Sequence, residues 1–162
     1  EQLEREIDDT LTSEIIDGGY WLVPPQSSCS VVIAYIGAVV PQVIESCDEL
    51  NRRSPGSTAV LAITSADRLH RGWIQAQRVR RRGSRTCRAQ IEKLLSAIGS
   101  SVRIVTITDG HPSVLTWLGA VAGHRVCGLG VDRYGESGTL TELYQAYRLD
   151  AQSILSASLD SS

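Results

Sequence analysis

Four stretches of the chain are apolar almost without interruption: 30–36 (SVVIAYI), 58–64 (TAVLAIT), 102–108 (VRIVTIT) and 124–129 (HRVCGL). A strand with one wet face alternates apolar and polar residues, so runs of this kind predict strands covered on both sides. Between them the period changes. Val40, Val43, Ile44, Cys47 and Leu50 share one helical face, and Pro41 sits in the first turn, where its missing amide hydrogen has no intrahelical role. Leu69, Trp73 and Ala76 form the inner face of a second helix, with Ser65 and Asp67 as caps. Gly83-Ser84 breaks it, and Thr86 leads a third helix through Cys87, Ile91, Leu94, Leu95 and Ile98. The turn Asp109-Gly110-His111-Pro112 opens a fourth, carrying Val114, Leu115, Leu118 and Val121 up to Gly123. After a glycine-rich loop over 130–138, Thr139 and Glu142 have capping-box spacing, and Asp150 caps a last helix through Ile154 and Leu155. The Ser-rich end is expected to fray.

Ahead of this alternation, 3–16 mixes acids with Leu3, Ile7, Leu11, Ile15 and Ile16, a helical stripe that Gly18-Gly19 ends. Tyr20-Trp21-Leu22-Val23 is a short strand stopped by Pro24-Pro25. We read 1–25 as a lead-in from a preceding domain and 26–162 as one domain. Alternating buried strands and helices predict an α/β fold in three layers, with a mostly parallel sheet, helices on both faces and right-handed crossovers. The strand at 20–23 precedes the alternation and is the expected odd edge strand.

Composition bounds the function. Hydrophobic residues make up 42% and charged residues 21%, which suits a folded domain and not a disordered one. No stretch reaches the roughly 20 apolar residues that span a bilayer. The acidic start has no signal-peptide pattern, and a cytoplasmic location is expected. Met is absent, at position 1 included, so the chain is expected to be a piece of a longer protein. A net charge of -2 argues against a dedicated nucleic-acid partner. Cys29, Cys47, Cys87 and Cys127 lack metal-ligand spacing and are expected to be reduced, buried residues.

Ligands of such sheets bind at the carboxyl ends of strands, which here are 36–37, 64–67, 109–111 and 130–138. Gly128-Leu129-Gly130-Val131-Asp132-Arg133 begins like a dinucleotide fingerprint, but Arg133 stands at the third glycine and no helix follows directly. Gly135-Glu136-Ser137-Gly138 lacks the spacing of a nucleophile elbow. His111 follows a strand end and neighbours Asp109; His70 and His124 read as structural. Arg78, Arg80, Arg81, Arg82, Arg85 and Arg88 form a basic knot without interleaved aromatic residues, which reads as solvated or partner-facing surface. No catalytic constellation, cofactor site or metal-ligand cluster assembles. The candidate positions, on strand-end or interdomain loops, are Asp109, His111, Asp132, Arg133, Tyr134 and Ser137.

A resemblance adds to this reading. Val105–Asp109, then Gly128-Leu129-Gly130-Val131-Asp132-Arg133-Tyr134-Gly135-Glu136-Ser137-Gly138, then 143–154 (LYQAYRLDAQSI) together resemble the C-terminal domain of the transketolase superfamily. The similarity is closest to the homodimeric pyruvate dehydrogenase decarboxylating component and to transketolase, whose last strand leads into a Gly-x-Asp-x-Phe-Gly-x-Ser loop. It spans about 20–157, and 33–50 resembles the first strand and helix of that domain. Tyr134 stands where Phe is usual, Gly138 replaces the residue after Ser, and 109–112 departs from typical members.

The resemblance implies a five-stranded mixed sheet with one antiparallel edge strand. It further implies a three-domain, dimeric enzyme whose thiamine diphosphate and magnesium sit between the two upstream domains, activated by a glutamate of the middle domain. This chain has no Gly-Asp-Gly segment with its Asn pair, so no cofactor residue of the family carries over. On this basis the chain is a non-catalytic domain that packs on upstream domains of its own chain and supports a homodimer acting on 2-oxo acids or ketose phosphates. The competing reading is a free-standing regulatory module that takes an anionic small ligand at its strand-end loops through His111, Arg133 and Ser137.

Overall fold

The computed structural model describes residues 7–83 and 86–160. Its centre is a five-stranded sheet of β1 (Gly19–Val23), β2 (Val31–Ile36), β3 (Thr58–Ile63), β4 (Arg103–Thr108) and β5 (Val126–Leu129), in the order β1-β3-β2-β4-β5. β2 lies parallel to β3 (Val31 opposite Thr58) and to β4 (Val31 opposite Arg103), and β5 is parallel to β4. β1 runs antiparallel to β3 on the outer edge, Gly19 facing Ile63, with a register shift between Trp21 and Val23. The lead-in segment thus supplies the odd edge strand.

The apolar runs are continuous because consecutive side chains serve different cores. Val32, Ala34 and Ile104 face α3 (Ala66–Arg81), α4 (Gln90–Leu95), α5 (Ser113–Thr116) and α6 (Leu118–Ala122), where Leu69, Ile91, Leu95, Leu115 and Leu118 are buried. Val31, Ile33, Val105 and Ile107 face α2 (Val40–Arg53) and α8 (Ala151–Leu159), against Val43, Cys47, Leu50, Ile154 and Leu155. The three-layer α/β reading stands. Among the described residues no helix is long and apolar enough to cross a membrane.

Several local expectations need correction. The first helix is α1 (Asp9–Asp17), started by the Asp8 carboxylate, which accepts the Leu11 amide at 2.7 Å. Its apolar stripe is not a buried face: Leu11 is buried, whereas Ile7 and Ile16 are 70% and 57% exposed, and Leu3 lies outside the described residues. The helix expected from Thr86 begins at Gln90, and Cys87 precedes it. Arg80 holds the intervening chain extended: Nη1 donates to the Cys87 carbonyl at 2.8 Å, and both Nη atoms fork onto Glu92 at 2.9 and 2.6 Å. Glu92 Oε2 also accepts the Ala89 amide at 2.8 Å, fixing the helix start. The helix expected over 114–121 is two short ones, α5 and α6, joined at Trp117. Of the cysteines only Cys47 is buried; Cys29 and Cys87 are half-buried, and Cys127 is exposed on the edge strand β5.

Candidate functional site

The chain leaves β2 toward β3 on one side and reaches β4 on the other, so the carboxyl ends of β2 and β4 flank the topological switch point where α/β sheets usually open a ligand crevice. Here that crevice is filled by the chain itself. β2 ends in Gly37, whose φ of +93° is open to glycine and strained for other residues. A Cβ there would overlap the carboxyl group of Asp109, which lies just past β4. Asp109 Oδ2 accepts the Ala38 amide at 3.0 Å, and the Tyr144 hydroxyl donates to the Ala38 carbonyl at 3.3 Å. The next residue, Val39, is the N-cap of α2 and has no side-chain oxygen to offer. Asp109 therefore brings negative charge to a helix start that its own cap residue leaves bare. A carboxylate stands where a bound phosphate would stand.

His111 does not join Asp109 in a pair. Its Nδ1 accepts the Ser113 amide at 3.2 Å and lies 2.7 Å from the Ser113 hydroxyl, a local turn contact. The other two histidines make contacts within the fold. His124 is buried and donates through Nδ1 to the Val102 carbonyl at 2.9 Å, while His70 meets Trp117 edge-on with ring centroids 4.9 Å apart.

Beyond β5 the loop over 130–138 is pinned at its start and free at its tip. The Val131 amide donates to the Gly110 carbonyl at 2.8 Å, and a Cβ on Gly130 would come within 2.6 Å of that same oxygen. Only a glycine lets 110–112 lie this close. Arg133 is held by three contacts: Nη2 donates to the Ala146 carbonyl at 3.1 Å, Nε sits 3.6 Å from Glu136, and the guanidinium lies 6.0 Å from the Tyr147 ring centre. Tyr134, at the tip, is 95% exposed, and Ser137 is exposed as well. α7 (Leu140–Ala146) follows, started by the expected capping box, in which Glu142 Oε2 accepts the Thr139 amide at 2.7 Å. That hydrogen bond, and one from the Thr139 hydroxyl, hold the Glu142 carboxyl below its usual range.

Between this loop and the α7–α8 turn lies a cleft of about 210 Å³, lined by Gly128, Asp132, Arg133, Tyr147 and Arg148 among others. Of the six candidate positions the structure brings two together here, Asp132 and Arg133. Asp109 sits in the filled crevice, His111 on its own turn, and Tyr134 and Ser137 on the exposed loop. Arg148 was not readable as a site residue. Its φ of +58° is the one positive value at a non-glycine among the described residues, and nothing local in Tyr147-Arg148-Leu149 signals it. No group of three or more His, Cys, Asp or Glu among the described residues is placed to hold a metal.

No protein-family model matches the chain, and no curated protein matches it in sequence. Solved structures do match. Transketolase from Campylobacter jejuni subsp. jejuni NCTC 11168 aligns with a TM-score of 0.60 at 16% identity, over 87% of this chain and 18% of that one. The fold is transketolase-like. Transketolase from Leishmania mexicana aligns at 0.57 and 13% identity, over 90% of this chain and 18% of that one. A split-gene transketolase, described as an inactive beta4 tetramer, aligns at 0.60 and 16%, over 87% of this chain and 41% of that one. The chain spans under a fifth of the full transketolases it matches. At such identities the likeness concerns the arrangement of strands and helices, and no residue role travels with it.

Proposed function

We propose that the chain is the C-terminal, non-catalytic domain of a thiamine-diphosphate-dependent enzyme of the transketolase superfamily, either a transketolase or a 2-oxo acid (pyruvate) dehydrogenase decarboxylating component. Its role is to pack on the upstream domains and to support the dimer. The observation that carries this reading, beside the transketolase-like fold, is the exposed apolar surface past β5: Tyr134 on the loop is 95% exposed and Leu140 at the start of α7 66%. Covering side chains of this size on a partner stabilises a contact by roughly 1.5–3 kcal/mol each.

The residues present do not fit the cofactor. The helix start nearest the switch point already carries the Asp109 carboxylate, which repels a diphosphate, and no group of three or more His, Cys, Asp or Glu among the described residues is placed to hold a metal. On this reading thiamine diphosphate and magnesium belong to the upstream domains, where the thiamine would serve as electron sink for cleaving a carbon–carbon bond beside a carbonyl. No step of that chemistry is routed through this chain.

The test reads the coding sequence on the 5′ side of the Glu1 codon, and the frames beside it. A Gly-Asp-Gly segment with its Asn pair, in frame or on an adjacent chain that co-purifies with this one, supports the reading. In the assembled protein, Tyr134→Asp should then weaken the dimer. A start codon directly before Glu1, with no thiamine-binding chain retained, refutes it.

A further inference from the structure

We infer that the exposed flank of α3 is an interface for a second copy of this chain, in which the two α3 helices cross antiparallel beside Gly72 and the carboxylates of α1 meet the partner's arginines. The inference does not depend on the thiamine reading. α1 leads into β1, at the opposite edge of the sheet from β5 and the Tyr134 loop.

Gly72 is the starting point. It sits in the middle of the sixteen-residue α3 with ordinary helical backbone, and a Cβ there would meet nothing within 4 Å. Neither its conformation nor a neighbour in the chain requires glycine, although glycine weakens a helix interior relative to alanine. A missing side chain on an open flank lets another helix backbone come close. Gly72 also belongs to a regular stripe. Ser65, Arg68, Gly72, Gln75, Val79 and Arg82 follow one another at alternating spacings of three and four, the spacing of a helix–helix seam. Arg68, Gly72, Gln75 and Arg82 are exposed and Val79 is half-buried, whereas Leu69, Trp73 and Ala76 on the inner face are buried. A seam this polar makes a short crossing held by charge, not a hydrophobic coiled coil.

The charges say what lies across it. Arg71 is paired with Asp67 and Arg80 with Glu92, but no ion pair among the described residues holds Arg68, Arg78, Arg81 or Arg82. α1 has the opposite sign: Asp9, Glu14 and Asp17, with no basic residue. It ends against the start of α3. The Thr64 hydroxyl donates to the Ile15 carbonyl at 2.6 Å and the Ser65 amide to the Gly18 carbonyl at 3.1 Å, while a Cβ on Gly18 would come within 2.9 Å of the Ser65 carbonyl. The stripe therefore begins beside acids and ends in arginines. An antiparallel crossing that sets Gly72 across from the partner's Gln75 sets Arg68 across from the partner's Val79. It also sets Ser65, with the end of α1 beside it, across from the partner's Arg82. A two-fold axis repeats every contact, so both acidic ends meet both basic ends. A parallel crossing would bring the two basic ends together. An acidic segment of another protein would match the arginines and leave α1 unmatched; a second copy matches both. Ile16, 57% exposed beside Asp17, adds apolar surface to the contact.

The test is sedimentation equilibrium of the 162-residue chain up to about 1 mM. The expected result is a monomer–dimer equilibrium that weakens by about tenfold or more between about 50 and 500 mM salt. Gly72→Leu should weaken the dimer by about tenfold or more. Leucine is the better helix former in open space, so this variant should melt no lower than the parent at low protein concentration, which separates loss of contact from loss of fold. Glu14→Arg with Asp17→Arg should be monomeric, and so should Arg78→Glu with Arg82→Glu. Mixed, these two double variants should pair with each other, because each then meets the opposite charge at both ends. Tyr134→Asp should leave this dimer unchanged. Four results would each overturn the assignment: a monomer at about 1 mM, an unweakened dimer in Gly72→Leu, no pairing of the mixed charge variants, or a dimer lost in Tyr134→Asp. None depends on what the gene encodes upstream.

Discussion

Gly37 and Asp109 close the crevice between β2 and β4 together, and a double-mutant cycle measures that closure. Gly37→Ala has two consequences. Alanine at φ +93° carries a backbone penalty of about 1–2 kcal/mol. Its methyl also takes the space of the Asp109 carboxyl group, whose three heavy atoms beyond Cβ are the nearest neighbours of a Cβ at 37. The carboxylate must swing away and release the Ala38 amide, a further loss of about 1 kcal/mol. Asp109→Ala alone loses that hydrogen bond and should cost about 1 kcal/mol. With the carboxylate already gone, Gly37→Ala has only its backbone penalty left. The double variant should therefore fall short of the sum by about 1 kcal/mol, above the few tenths expected of independent sites. Urea midpoints at constant slope give the four free energies. If the two changes add, the Asp109 carboxylate does not occupy the crevice in solution and the argument against a phosphate there fails.

Other expectations follow from single contacts. Arg80 chiefly, and then the Ala89 amide, hold the Glu92 carboxyl below its usual range. A lowered folded-state value means stability present above the ordinary carboxylate range near pH 4 and lost as the pH falls through the folded value. Glu92→Gln should shrink the acid limb of a stability–pH curve, and an unchanged limb would count against the bridge. Burial, with a smaller contribution from Asp48, pushes the Cys47 thiol up to about 11, whereas Cys127 is exposed. Alkylation followed by peptide mass mapping should find Cys127 modified and Cys47 protected until the chain unfolds. Leu118→Ala empties a fully buried position between α6 and the sheet and should cost about 2–5 kcal/mol by denaturant unfolding. Under the proposed function a thermal scan with thiamine diphosphate should show no shift. A ligand at 100 times its dissociation constant would add about 2.7 kcal/mol, so an upward shift would contradict the assignment of the cofactor to other domains.

The strands were legible because each needs apolar residues on both faces, and that requirement leaves runs that no exposed element shares. The helical spacing of α2 and α3 was legible for the same reason: Val43, Cys47 and Leu50, like Leu69, Trp73 and Ala76, fall where one face meets the sheet. The start of α4 was not. Cys87 continues the helical period of Ile91, Leu94 and Leu95, but Arg80, seven residues earlier, binds its carbonyl and keeps it out of the helix. A contact between elements overrode the local pattern. Asp109 drew attention as a neighbour of His111, yet its partner is the amide of Ala38, 71 residues away. Arg148 gave no signal because a positive φ is readable in advance at glycine, and here the residue is arginine.

The same geometry argues against an anion at the switch point. A phosphate approaching the start of α2 would meet the Asp109 carboxylate, and two like charges about 4 Å apart near a protein surface repel by roughly 4 kcal/mol. Asp109 is tethered there and contends for the same amide without any entropy of association. The carboxyl end of β5 is built differently. It is the last strand of the sheet, paired on one side only, so its carboxyl end is not enclosed between two crossovers. Gly128 and Gly130 let Pro112 and the Gly110 carbonyl close against the strand, which seals one wall of the cleft with apolar atoms and backbone.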